Sequence, residues 1–134
     1  MSRRYEDVEF GEDIPAIEPD LSLDAVRVFT QATRMHFPRF TDHEAARKEG
    51  LPGAIVPGIM SQGILAAAIH RWAPGCAIER IDTVFRAPVL VGQRAFCSGV
   101  VTDMDEELRA VEIDLTITNE AKETRVLGTA TVRL

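Results

Sequence analysis

Apolar positions are distributed in two different ways along this chain. In the stretch that opens with Pro57-Gly58, they crowd together with almost no polar face: Ile59, Met60, Gly63, Ile64, Leu65, Ala66, Ala67, Ala68, Ile69 and Trp72. Proline is tolerated at a helix start because its missing N–H is not needed there, so the run predicts a helix over about 58–72. A helix apolar on nearly every side is expected to be buried all round. It is too short to span a bilayer, and His70 and Arg71 interrupt its end. Further on, Val111, Ile113, Leu115 and Ile117 alternate with Glu112, Asp114, Thr116 and Thr118, the period of a half-buried antiparallel strand. Together these predict an α+β fold in which a curved antiparallel sheet wraps one central apolar helix.

The rest of the chain fills in around that pair. Residues 1–12 are polar and predict a mobile end, and 13–19 alternate enough for a first strand. Ser22 is placed to cap a helix over about 23–33. Residues 34–41, with Pro38 between Phe37 and Phe40, read as a loop. Thr41-Asp42-His43-Glu44 fits a capping box for a short helix over 43–49 that Gly50 ends, with Thr41 or Asp42 as the cap and His43 solvated. Strands are expected over 78–84, 95–102, 111–117 and 126–134, with an acidic turn at 103–107. Ala95, Cys97, Gly99 and Val101 form a face of small residues on which a helix would lie close. There is no internal repeat, and the 134 residues read as one domain, long enough to bury roughly two-thirds of the unfolded surface.

Charge and cysteine usage narrow the partners. The formal charge of −6 disfavours nucleic acid and anionic membranes, both of which need a basic footprint. The first segment is broken by Glu6, Asp7 and Glu9 and has no signal-peptide pattern, so a cytoplasmic location is the expectation. Cys76 and Cys97 read as free buried thiols, and no metal spacing exists.

Several segments, in order, resemble the MaoC-like hotdog proteins, which include R-specific enoyl-CoA hydratases and 3-hydroxyacyl thioester dehydratases. Glu6-Asp7-Val8-Glu9-Phe10-Gly11-Glu12 resembles the family's opening strand. Residues 29–46 take the place of its active-site loop and the helix after it. Gly53 to Met60 is similar to its Gly-Pro-Ile-Ala-His-Gly-Met entry into the central helix. Phe85-Arg86-Ala87-Pro88-Val89 with Gly92 is similar to its Arg-Phe-x-x-Pro-Val…Gly segment. The resemblance implies the hotdog fold, a substrate that is an acyl thioester such as acyl-CoA, no cofactor beyond the coenzyme A of that substrate, and a dimer.

It also implies a site. The family's pattern resembles Gly-Asp-x-Asn-Pro-x-His, whose Asp and His hold and activate water, while a backbone N–H at the start of the central helix polarises the thioester carbonyl. Gly58 stands where that glycine does. Anchored on Pro38, the Asp position is Met35, the Asn position Phe37 and the His position Phe40. Neither Met35 nor Phe40 can exchange a proton, so the usual acid–base step has no agent. Met35, Phe37, Phe40, Val56 and Arg39 are the expected substrate-binding residues, with Trp72 a further apolar lining. His36 is the one titratable group beside the lost Asp position; it is either a substitute acid–base or a loop histidine. Arg34, Arg39 and Arg47 either attract the phosphates of coenzyme A or simply face water.

Three functions follow. The first is a MaoC-like subunit without its own acid–base dyad that pairs with a catalytic protomer. The second is an active hydratase, dehydratase or other lyase working through residues such as His36. The third is a non-catalytic structural homodimer. Thioester hydrolysis would need a carboxylate near the central helix, and Glu49 is the only acid nearby.

Overall fold

The computed structural model describes residues 2–134. In chain order the elements are β1 (Asp13–Ile17), α1 (Leu23–Thr33), α2 (Pro38–Thr41), α3 (His43–Lys48), α4 (Gly58–Trp72), β2 (Ala77–Phe85), β3 (Ala95–Asp105), β4 (Ala110–Asn119) and β5 (Thr124–Arg133). The five strands form one antiparallel sheet in the order β1-β3-β4-β5-β2, so β1 and β2 are its edges. This is the hotdog arrangement, with α4 packed against the concave face.

The alternation in β4 does what its period requires. Val111, Ile113, Leu115 and Ile117 are buried. Ile113 pairs with Val101 on one side and Ala130 on the other; Leu115 pairs with Gly99 and Gly128. Against this floor α4 buries Ile64, Leu65, Ala68, Ile69 and Trp72. At Gly128 of β5 the helix side chains come down onto the backbone, and a Cβ there would stand 2.6 Å from Leu65 Cδ1. α4 also approaches β3, where the small-residue face was expected to receive it, although at Gly99 itself a Cβ would meet the neighbouring strand, Asp114 O at 2.7 Å and Leu115 Cδ2 at 2.8 Å.

Several expectations are corrected. The helix is not buried all round: Ile59 is 54% exposed, and Gly63 and Ala67, one and two turns on, are exposed too. An apolar composition favours burial of a helix but does not require that the sheet reach every face of it. Residues 6–12 hold no strand; Tyr5–Asp7 is a single 3-10 turn. Nor are residues 2–12 loose, although Met1 lies outside the described residues. Arg3 Nε donates to Trp72 O at 2.9 Å, its guanidinium stacks 5.0 Å above the indole and pairs with Glu12 at 3.0 Å, and Glu12 accepts from Trp72 Nε1 at 2.9 Å. The expected loop at 34–41 contains α2, which starts at Pro38 because proline fits the first helical position. The cap of α3 is Asp42 alone, whose carboxylate accepts from Glu44 N and Ala45 N; Thr41 belongs to α2. The β3–β4 turn lies at 106–109, since β3 runs on to Asp105. Cys97 is buried, which pushes its thiol up to about 11, and Cys76 is half-buried.

Candidate active site at the start of the central helix

The segment before α4 is extended and fully tied down. Ala54 N donates to His43 Nδ1 at 3.0 Å, Ile55 N to Arg39 O at 3.0 Å, and Val56 N to Val89 O at 2.8 Å. Each backbone donor thus has a partner on a different element, as buried backbone demands. His43, expected in solvent, is therefore a structural acceptor. The return bond, from Val91 N to Ala54 O at 3.0 Å, holds residues 89–91 beside this segment.

Pro57 then caps α4 and has no N–H to give. Met60 N and Ser61 N both bond Pro57 O, at 3.0 and 3.1 Å. The N–H groups of Gly58 and Ile59 are left without an acceptor among the described residues, at the positive end of the helix dipole. A cavity of about 350 Å³ opens beside Gly58, lined by Ile55, Val56, Ser61, Phe85, Arg86, Ala87, Pro88, Val89 and Val126. Every residue of the Phe85–Val89 segment lines it. The Phe85 ring, 52% exposed, lies across Gly58.

The lining is mostly apolar and contains no Asp, Glu, His, Cys or Lys. Ser61, almost fully buried, contributes the lone side-chain hydroxyl. The cavity therefore offers backbone donors for a developing negative charge and no side chain that takes up a proton near neutral pH.

Of the residues expected to form the site, Gly58 and Val56 line this cavity. The others do not. Phe37 is 56% exposed and meets Phe40 edge to face at 6.1 Å, while Phe40 packs on the core and Met35 is half-buried. Arg39 touches the site only through its carbonyl; its guanidinium pairs with Glu49 at 2.8 Å, which also occupies the one nearby acid. Arg47 donates to Pro52 O, and Arg34 is the left-handed residue that ends α1. His36 is exposed in a separate groove of about 440 Å³ with Arg27, Thr30, Gln31, Pro38, Thr41 and Asp42, which shares no residue with the cavity. Trp72 is buried at the far end of α4. Ser61, Ile55, Val126 and the Phe85–Val89 segment were not named as site residues from the sequence. Ile55 and Phe85–Val89 lay in stretches matched by resemblance, and Ser61 carried a signal of its own, a hydroxyl one turn inside an apolar helix.

Comparison with known proteins agrees with this fold. The MaoC like domain model matches residues 8–124, and the chain belongs to that family. Among solved structures it is similar to an (R)-hydratase from A. caviae involved in PHA biosynthesis, with a TM-score of 0.90 and 19% identity over 96% of this chain and 98% of that one. It is also similar to a chain of the ChsH1-ChsH2 complex from Mycobacterium tuberculosis, with a TM-score of 0.86 and 17% identity over 94% and 98%. A third likeness is to the HadBC (3R-hydroxyacyl-ACP dehydratase) complex of the same organism, with a TM-score of 0.71 and 18% identity over 92% and 96%. At these identities the likenesses establish the shared fold. No curated protein matches the chain by sequence. Among the described residues no helix is long and apolar enough to cross a membrane, and no three His, Cys, Asp or Glu are grouped to hold a metal.

Proposed function

We propose that this chain is the thioester-binding, non-catalytic member of a MaoC-like hydratase or dehydratase pair. The observation that carries the reading is the cavity at the start of α4, which has the free Gly58 amide, with that of Ile59 next to it in the chain, and no acid–base side chain in its lining. Gly58 N–H and Ile59 N–H suit the carbonyl oxygen of an acyl thioester, and Val56, Val89 and Val126 suit its acyl chain. With Met35 and Phe40 at the positions where the family carries its Asp and His, water has no activating partner in this chain.

The surface supports a partner. Ile59, Gly63 and Ala67 on α4 and Val84 and Phe85 on the sheet edge β2 form an apolar face that this chain leaves open. A bare edge strand and an apolar helix face invite pairing with a second hotdog protomer. ChsH1-ChsH2 and HadBC are themselves complexes, which favours a second MaoC-like chain over a copy of this one. The reading through His36 has no comparable support, since its groove is separate from the donors.

Native mass spectrometry of the chain with saturated and enoyl-CoA mixtures tests this reading. One thioester retained per chain, with no hydration product, is the expected result. Turnover by the chain alone at ordinary enzyme rates overturns it.

A further inference from the structure

Arg86 differs from the arginines around it. Arg80, Arg94, Arg125 and Arg133 pair with Asp82, Glu18, Glu123 and Glu79. Arg86 has no ion-pair partner among the described residues and makes no side-chain hydrogen bond there; its backbone N donates to Arg125 O at 2.9 Å. Pro88, two residues on, stiffens the same segment. The base of the side chain is thus fixed while its guanidinium is uncommitted.

Its position gives that freedom a meaning. Arg86 is the one charged residue lining the cavity beside Gly58, and it is solvent-exposed, which puts it at the mouth. A guanidinium there is a fork of donors matched to carboxylate or phosphate oxygens. The remainder of the lining offers only the Ser61 hydroxyl and the Gly58 amide and no second positive charge, so a full anionic charge is best met at Arg86.

We propose that Arg86 selects ligands carrying an anionic group at the cavity mouth, with the uncharged apolar part of the ligand inside. This rests on the reading of the cavity as a thioester site. The anionic oxygen has two possible sources in such a ligand: a phosphate of the carrier, or a carboxylate on the acyl group.

Calorimetric titration of the full chain separates them. The probes are butyryl-CoA, the butyryl thioester of N-acetylcysteamine, which has no phosphate, and the succinyl thioester of N-acetylcysteamine, which has one carboxylate. Arg86→Gln is expected to weaken the probe bearing the recognised anion by about tenfold. Arg86→Lys should retain part of that affinity, and about 0.5 M salt should shrink the difference. A loss confined to butyryl-CoA identifies the carrier phosphate; a loss confined to the succinyl probe identifies an acyl carboxylate. Equal affinities of Arg86→Gln and wild type for all three overturn the role of Arg86 and leave the thioester reading standing. An equal loss on the neutral butyryl probe overturns it as well, because that probe has no anion. Failure of the wild type to bind any probe overturns both.

Discussion

Phe85 and Gly58 are fitted to one another: a Cβ on residue 58 would stand 3.1 Å from the tip of the Phe85 ring. The last residue of β2 therefore lies directly over the first residue of α4, where the free amides are. Gly58→Ala should be tolerated by the fold, because alanine is a good helix residue and the half-exposed ring can swing aside by a few tenths of an ångström. It should also narrow the approach to the amides. The expectation is a melting temperature within about 3 °C of wild type with thioester affinity reduced about fivefold or more. Thermal melts and titration on the same preparation check both parts.

The absence of an acid–base side chain from the cavity lining gives a kinetic expectation. Hydration of crotonyl-CoA by this chain alone should run near background, since each acid–base group typically contributes about 10²–10⁴-fold. Addition of a MaoC-like partner that carries the Asp and His should raise the rate by about 10² or more. A spectrophotometric hydration assay with and without the partner measures this.

Ile59 sits in the middle of the uncovered apolar face. Ile59→Lys should leave the fold of the single chain intact, because the side chain already meets solvent. It should weaken association with the second protomer by about tenfold or more, since a buried unpaired ammonium is costly at an interface. Sedimentation velocity of wild type and variant, each with and without partner, reads the difference.

Two glycines in the sheet should respond unequally to a methyl group. At Gly128 the clash is with the end of one leucine side chain, at 2.6 Å. At Gly99 it is with a carbonyl oxygen of the paired strand at 2.7 Å, and with Leu115 and Ile14 behind it. Overpacking a core costs about 1–3 kcal/mol, and backbone yields less readily than a side chain. Gly99→Ala should therefore lose more stability than Gly128→Ala in urea denaturation.

His43→Ala should destabilise by about 1–2 kcal/mol, because Ala54 N–H loses its acceptor in a partly buried place. The midpoint of urea denaturation should fall with little change in slope. His43→Asn, which keeps an acceptor on a shorter arm, should recover part of the loss.

Helix α1 and strand β4 were legible because their signals are local: an N-cap serine with helical spacing after it, and a clean alternation over 111–117. Helix α4 was legible in extent but not in surroundings. Ile59, Gly63 and Ala67 look in sequence like the buried side of a core helix, and only the sheet's reach decides that they lie beyond it. Pro38 was read as a breaker and proves to be a starter, because proline signals both. Phe85–Val89 was matched to a family segment by resemblance but not named for the site, and every one of its residues lines the cavity. Met35, Phe37, Phe40 and Arg39 were named for the site by resemblance and lie outside it. Proximity along a motif does not determine which side of the backbone a cavity opens on. Ser61 on α4 and Val126 on β5 meet only after folding, and no local pattern joins them.

The fastening of Arg3 and Glu12 to Trp72 makes the two ends of α4 unlike in evolutionary freedom. The last turn is locked by residues some sixty positions away in sequence, so a change there must be matched by a change in the N-terminal segment. The first turn is constrained too, by Phe85 over Gly58, but there the neighbour is a half-exposed ring at a cavity rather than a locked indole. Substitutions at the Gly58 end therefore reach a ligand, while those at the Trp72 end reach the scaffold.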